Sequence, residues 1–343
     1  MSTGVSSRSV RTGGASGERV NFGRRVLTVR RGPVAVRLDG RSVVVCLVLA
    51  VVAACAAVLA LMMVRDIVVE WRLPRVAGAL VFGAALGVSG AIFQSLLRNP
   101  LADPGVIGFS QGSYTGALVV ILVVNGTYWQ LVGGAVLGGM ATAAAVYLLA
   151  YRRGVQGFRL IIVGIGVSAV LASLNTWLIL KADLQQAMAA AAWGTGSLNG
   201  VSWSQVIIGG ACVGVLLLLA GMSSRPMRQL ELGDDVATSH GVRISPARLG
   251  LVVVGVALTA TVTAASGPIA FLSLAAPQIA RRLARTAGIT LAPAAFVGAL
   301  LCLSADHLAQ HVAPTPLPVG IITVVLGGGY LGWLLFTEAR RRL

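Results

Sequence analysis

The 343-residue chain reads as an all-α integral membrane protein with about ten transmembrane helices. Three observations carry that reading: an apolar composition, apolar stretches that recur to the C-terminus, and basic residues confined to the tail and the connections. Hydrophobic residues make up 56% of the chain and charged residues 11%, with mean hydropathy +0.86. That balance lies outside the range of an ordinary soluble domain and suits a chain dissolved in lipid.

Stretches long enough to cross a hydrocarbon core of about 30 Å, or about 20 helical residues, recur along the chain. They predict helices near 43–64, 76–97, 105–124, 131–151, 160–180, 204–222, 248–265, 268–284, 291–309 and 317–336. The third and eighth carry Gly and Pro, a composition expected of broken or re-entrant segments beside a cavity. Gly83-Ala84-Ala85-Leu86-Gly87 and Gly133-Gly134-Ala135-Val136-Leu137-Gly138-Gly139 supply the small residues through which helices in lipid approach closely. Ser89-Gly90-Ala91-Ile92 and Ser266-Gly267-Pro268-Ile269 form a faint internal echo.

The formal net charge of +16 raises nucleic acid as a partner. Its distribution argues against one, because the arginines lie between apolar runs and form no stripe interleaved with aromatics. Residues 1–41 concentrate Arg8, Arg11, Arg19, Arg24, Arg25, Arg30, Arg31, Arg37 and Arg41 against Glu18 and Asp39, which predicts a basic, disordered cytoplasmic tail before a membrane domain at 42–343. With the N-terminus inside, Arg98, Arg152, Arg153, Arg159, Arg225, Arg228, Arg243, Arg248, Arg281, Arg282, Arg285 and Arg340 to Arg342 all fall on the cytoplasmic side. Arg65, Arg72, Arg75 and Lys181 are left outside. Ten spans in the cytoplasmic membrane with both termini inside satisfy this asymmetry.

Self-sufficient chemistry is not visible. Cys46, Cys55, Cys212 and Cys302 lie within apolar runs at spacings unsuited to a metal motif, and Val52-Ala53-Ala54-Cys55 only superficially resembles a lipoprotein processing site. His307 and His311 stand at helical spacing just before Pro314, Pro316 and Pro318, and read as interfacial residues. No Gly-x-Ser-x-Gly, His-Glu-x-x-His or phosphate-loop motif occurs. The predicted mid-span positions also offer no ionisable group of the kind a proton-coupled transporter or intramembrane enzyme needs. An uphill transporter of this kind depends on a partner for energy, and neither a metal nor a cofactor is expected on this chain.

Three stretches go beyond composition. Arg72-Leu73-Pro74-Arg75 is followed, one helix later, by Arg98-Asn99-Pro100-Leu101-Ala102-Asp103-Pro104-Gly105 and Gly108-Phe109-Ser110-Gln111-Gly112. Ser266-Gly267-Pro268-Ile269-Ala270-Phe271 runs on to Ala276-Pro277-Gln278-Ile279-Ala280-Arg281, and Leu317-Pro318-Val319-Gly320-Ile321-Ile322-Thr323 opens the last helix. In this order and spacing the chain, over roughly residues 43–338, resembles the FecCD family of permeases, the type II importers of ferric siderophores, haem and cobalamin with a BtuC-like fold.

The resemblance implies a permease subunit that pairs with a second copy or a FecCD paralogue. It also implies two cytoplasmic ABC ATPases, which hold ATP and Mg, and an extracytoplasmic substrate-binding lipoprotein. It assigns Arg72 and Arg75 to docking acidic side chains of that binding protein. The loop at about 223–247 resembles the family's coupling segment, two short helices and a turn, with Leu232, Gly233, Asp234, Asp235, Ala237, His240 and Gly241 against the ATPase. Asn99, Leu101, Gly157 and Phe158 match the cytoplasmic gate, and the fifth and tenth helices the path wall, with Ser168, Ser173, Asn175, Thr176 and Thr323 its sparse polar groups. A weakly interacting wall suits a channel that leaves recognition to another protein. Three departures stand out: Gln278 in place of a usual histidine, Gln310 near a third docking arginine of some members, and Leu326-Gly327-Gly328-Gly329-Tyr330 in the last helix. A ferric siderophore or related chelate is the expected cargo, with haem or cobalamin as alternatives and an ion-coupled secondary transporter as a different class.

Overall fold

The structure is a computed structural model that describes residues 26–31, 34–61, 71–151, 157–286, 288 and 290–342. All ten expected spans are present as helices: α1 Gly40–Leu61, α2 Leu73–Leu97, α3 Phe109–Val119, α4 Tyr128–Ala150, α5 Gly157–Lys181, α7 Trp203–Met222, α10 Ile244–Ser266, α11 Leu272–Ala284, α12 Leu291–His311 and α13 Val319–Arg342. Among the described residues three short helices join them: α6 Leu184–Gly194, which the sequence does not signal, and α8 Ser224–Leu232 and α9 Asp234–Ser239 in the loop after α7.

Local chemistry fixes several boundaries. Pro74 occupies the first turn of α2, where its missing N–H is harmless. Thr127 and Gln130 close a capping box on α4, and Ser202 and Gln205 another on α7. The third and eighth spans start later than expected, at Phe109 and Leu272, because their Pro- and Gly-bearing leads are not helical. A π-helical turn, Val120–Val124, completes the third span.

The central layer is α2, α10 and α12, the most deeply buried of the long helices, while α4, α5 and α7 turn apolar side chains outward. Exposed residues such as Leu148, Val170 and Leu218 are what lipid or a neighbouring subunit would cover. Close approach at glycine holds the centre together. A Cβ at Gly83 would lie 2.5 Å from the Gly298 carbonyl oxygen, and one at Gly298 would strike the Gly83 carbonyl in return. Gly116 and Gly138 lock α3 against α4 in the same way.

One expectation is corrected here. Within the tail predicted to be disordered, β1 Val26–Arg31 and β2 Val34–Asp39 pair antiparallel, from Val26 opposite Asp39 to Arg31 opposite Val34. The runs Val26-Leu27-Thr28-Val29 and Val34-Ala35-Val36 have the β-branched character of strands. Residues 1–25 lie outside the described residues.

Gly298→Ala is expected to destabilise the purified protein by about 1–3 kcal/mol through overpacking against α2, read as a lower midpoint of thermal unfolding in detergent. Gly214→Ala, on an open face of α7, is expected to leave the midpoint in place.

Candidate functional site

The non-helical lead of α3 meets the first turn of α11 inside the bundle. From Ser273 to Ala284, α11 rises about 16 Å, about half of a hydrocarbon core. Its first turn, Leu272 to Ala275, is buried in the bundle. There the Ser273 hydroxyl donates to the Asp103 carboxylate, which also accepts the backbone N–H groups of Gly105 and Val106. Pro277 removes the helical donor for the Ser273 carbonyl, and that carbonyl faces Gly90, where any Cβ would strike it. One turn on, Gln94 Nε2 donates to the Leu274 carbonyl (3.0 Å), and its Oε1 accepts from Gln278 (2.6 Å). Gln278, the departure from the family's histidine, thus closes a buried amide pair between α2 and α11.

Asp103 is a buried ionisable group that the sequence did not reveal. It was invisible as such because it belongs to a Pro-flanked stretch that reads as a loop, and only the late start of α3 carries that stretch into the interior.

Beside this junction lies a cavity of about 790 Å³. One wall is α5 from Ile165 to Ala172, another is α13 from Gly320 to Val325, and Asp103, Gln111 and Phe271 contribute from the leads and α3. Its walls are largely apolar and its size suits an organic ligand. The fifth and tenth spans both line it, and the polar groups that the sequence points to on them divide. Ser168 faces the cavity. Asn175 is buried, accepting from Thr115 (2.7 Å) and donating to Gln111 Oε1 (3.2 Å), so it ties α5 to α3. Thr323 is buried against the Gly320 carbonyl (3.0 Å), and Thr176 and Ser173 bond back to α5's own carbonyls. Uniformly apolar helices give no face signal, so their inward and outward sides could not be told apart from the sequence.

At one end of the bundle α8 and α9 form the two-helix segment expected at 223–247. Gly233, at φ 124°, makes the sharp turn between them. Met227, Leu230 and Ala237 are buried and anchor the pair, while Leu232, Asp235 and His240 are exposed. Gly241, at φ 79°, closes α9 in a Schellman arrangement: its N–H reaches Thr238 O, and the Val242 N–H reaches Ala237 O. Arg98, left-handed at φ 49°, caps α2 and clamps the turn. Its Nε donates to the Leu230 carbonyl (2.9 Å) and its Nη2 to Asp234 (2.6 Å), which Arg248 also meets at 2.7 Å. Partial desolvation of Asp234 opposes ionisation, but the hydrogen bonds and charge of Arg248 and Arg98 outweigh it and hold the carboxyl below the ordinary range.

Of the expected gate, Asn99 Oδ1 accepts the Leu101 N–H (2.9 Å) in a tight turn. Leu101 and Phe158 are 40% and 77% exposed on the single chain, and Gly157 opens α5. Phe158 is left largely uncovered by the described residues of one chain and Leu101 partly so, which suits a plug completed by a second subunit.

At the opposite end the two expected docking arginines part company. Arg72 is partly exposed at the cap of α2. Arg75 instead turns inward onto Asp306, with Nε at 2.8 Å and Nη2 at 2.8 Å, and Gln310 Nε2 donates to the same carboxylate at 2.9 Å. The side chains of Arg75 and Asp306 are 15% and 2% exposed. The compensating anion that an outward arginine requires is thus partly supplied by this chain, and Gln310 belongs to the same cluster.

A bundle with two broken helices, a cavity between two facing walls and a paired-helix segment at one end defines a polytopic membrane permease. The chain belongs to the FecCD transport family, whose model matches residues 41–337. It is 50% identical over 277 residues to the ferric enterobactin transport system permease protein FepG of Escherichia coli, covering 80% of this chain and 84% of that one. It is 39% identical over 280 residues to the iron(3+)-hydroxamate import system permease protein FhuG of Bacillus subtilis, covering 78% and 82%. Among solved structures, an inward-facing metal-chelate type ABC transporter matches with TM-score 0.79 at 26% identity, covering 86% of this chain and 99% of that one.

Asp306→Ala is expected to lower stability by about 3–5 kcal/mol, because it strands the Arg75 charge, whereas Asp234→Asn at the exposed clamp is expected to lose less than about 1 kcal/mol. Thermal unfolding in detergent separates the two. Because the folded-state pKa of Asp234 is depressed, its contribution is complete above the unfolded carboxylate value of about 3.9 and is lost as pH falls through the lowered folded value. Asp234→Asn should accordingly flatten the acid limb of the stability profile and leave its neutral region unchanged in slope.

Proposed function

We propose that the chain is the permease subunit of an ABC importer that passes a ferric siderophore across the cytoplasmic membrane by alternating access. The observation that carries this reading is the cavity between α5 and α13, approached by the α2–α3 connection that also touches the α8–α9 pair. Two permease chains, identical or paralogous, would face one another across these walls, so the cavity of one chain is part of a larger path. Two ATPase subunits holding ATP and Mg would seat on the exposed tips of α8 and α9, where Leu232, Asp235 and His240 are presented. The arginine-rich end would then be cytoplasmic, with both termini on that side. A substrate-binding protein would dock at the other end, with Arg72 as the charge this chain offers it and Arg75 holding the N-terminus of α2 from within. The high identity to an enterobactin permease makes a catecholate ferric chelate the first cargo to test.

Affinity capture from native membranes in mild detergent is expected to retain an ATPase and a second permease chain; recovery of neither would refute the assembly. In cells lacking other uptake systems, the complex with its binding protein is expected to import ferric enterobactin, and import of haemin or cobalamin alone would overturn the siderophore assignment. Arg72→Glu should abolish binding-protein stimulation of ATP hydrolysis with assembly intact. Phe158→Ala, which removes half of the apolar plug, should raise basal hydrolysis several-fold in reconstituted complexes.

A further inference from the structure

Residues 98–103 touch both the α8–α9 pair and the cavity wall. At one end the Arg98 guanidinium spans the Gly233 turn, holding the last carbonyl region of α8 at Leu230 and the first carboxylate of α9 at Asp234. At the other end Asp103 lines the cavity and accepts the Ser273 hydroxyl at the start of α11.

The six residues that carry these contacts are stiff. The Leu101 N–H is held by Asn99 Oδ1 (2.9 Å), the Ala102 N–H by the Asn99 carbonyl (3.1 Å), and Pro100 fixes its own backbone angle. Beyond Asp103, Pro104 and the two N–H groups that the carboxylate accepts hold the next turn. The segment also has a pivot. The Arg98 N–H bonds the Ser95 carbonyl and the Asn99 N–H the Gln94 carbonyl, which seats the segment on the last turn of α2. α2 itself is locked to α12 through Gly83 and Gly298 and cannot slide without a clash. Both outer ends of the segment, by contrast, are held by side-chain contacts, exposed at Arg98 and buried at Asp103.

We propose that residues 98–103 are a rigid lever, pivoting on the end of α2, that converts displacement of α8 and α9 into movement of the cavity wall at Asp103 and Ser273, with Arg98 and Asp103 as positioning residues at its two ends. The inference rests on reading α8–α9 as the seat of an ATPase. A stiff element between two breakable contacts carries motion in a way that a flexible connector of the same length does not. It also accounts for the burial of a carboxylate in an apolar wall: Asp103 joins the lever to α11 where no backbone ladder is available to do so.

The test uses the full permease with its ATPase subunits in lipid nanodiscs, the four native cysteines replaced by alanine. Val106→Cys, on the cavity wall beside Asp103, is labelled with a soluble maleimide in the nucleotide-free state and after trapping with ATP and vanadate. The labelling rate in this parent is expected to change about tenfold between the two states, and less than about twofold in Arg98→Met or Ser273→Ala, with no further loss when the two are combined. Ser273→Thr, which keeps the hydroxyl, is expected to restore the change, as a merely structural role would not require. Retention of the ATPase on purification reports assembly, and if Arg98→Met fails to assemble, the Ser273→Ala and Ser273→Thr pair decides alone. A full nucleotide-dependent change in both variants would overturn the lever. A rate indifferent to nucleotide in the parent would overturn the importer reading instead.

Discussion

Every backbone N–H and carbonyl inside a hydrocarbon layer must find a partner within the protein, and this requirement governs where the present chain can interrupt its helices. Two of the ten spans begin late, and their non-helical leads are tolerated because each is packed inside the bundle: the lead of α3 against the first turn of α11, the lead of α11 against the backbone at Trp193 and Gly196. Ser273 ties α11 to Asp103, Gln94 and Gln278 serve the next turn of α11, and Gly90 makes room for the carbonyl that Pro277 leaves without its helical donor. The cavity lies beside these leads. Its existence and the polar junction are two aspects of one solution: opening a space among helices requires breaking some of them, and the broken ends must satisfy each other.

The remaining helices divide the work of stability and of contact. Glycine-lined crossings of α2 with α12 and of α3 with α4 bring backbones so close that neither pair can shift without collision. The apolar outward faces of α4, α5 and α7 carry no such locks. Among the described residues the ion pairs are placed at the bundle's two ends, the Arg75–Asp306 cluster at one and the Arg98–Asp234–Arg248 cluster at the other. The first is nearly dry, so losing one partner is severe; the second is wet and loses less.

The count and order of the spans were legible because an apolar run of about twenty residues between basic connections fits little besides a helix that crosses a membrane. The family resemblance pointed to two short helices and a turn at about 223–247, and the Gly and Pro content of the third and eighth spans to their interruption. Long-range partners were not legible: Asp103 and Ser273 lie 170 positions apart, Arg75 and Asp306 231. Nothing local tells an arginine at a helix start to bend inward. The reading of 1–41 as disordered weighed its arginines and passed over the β-branched runs that pair at 26–39. Asn175 and Thr323 were assigned to the wall by their polarity alone, yet in an apolar helix a polar side chain is as useful for binding a neighbouring helix as for meeting a ligand.

The inward turn of Arg75 alters what this end of the subunit presents. With that guanidinium and Gln310 both committed to Asp306, the Arg-Leu-Pro-Arg motif leaves one arginine uncommitted to that carboxylate rather than two. Were the proposed binding protein to dock here, a pair of identical chains would offer it two basic points rather than four, a line instead of a four-cornered frame. Two points leave rotation about the line that joins them undetermined. The fine seating of the partner would have to come from surface shape, and long-range attraction would be weak and easily screened.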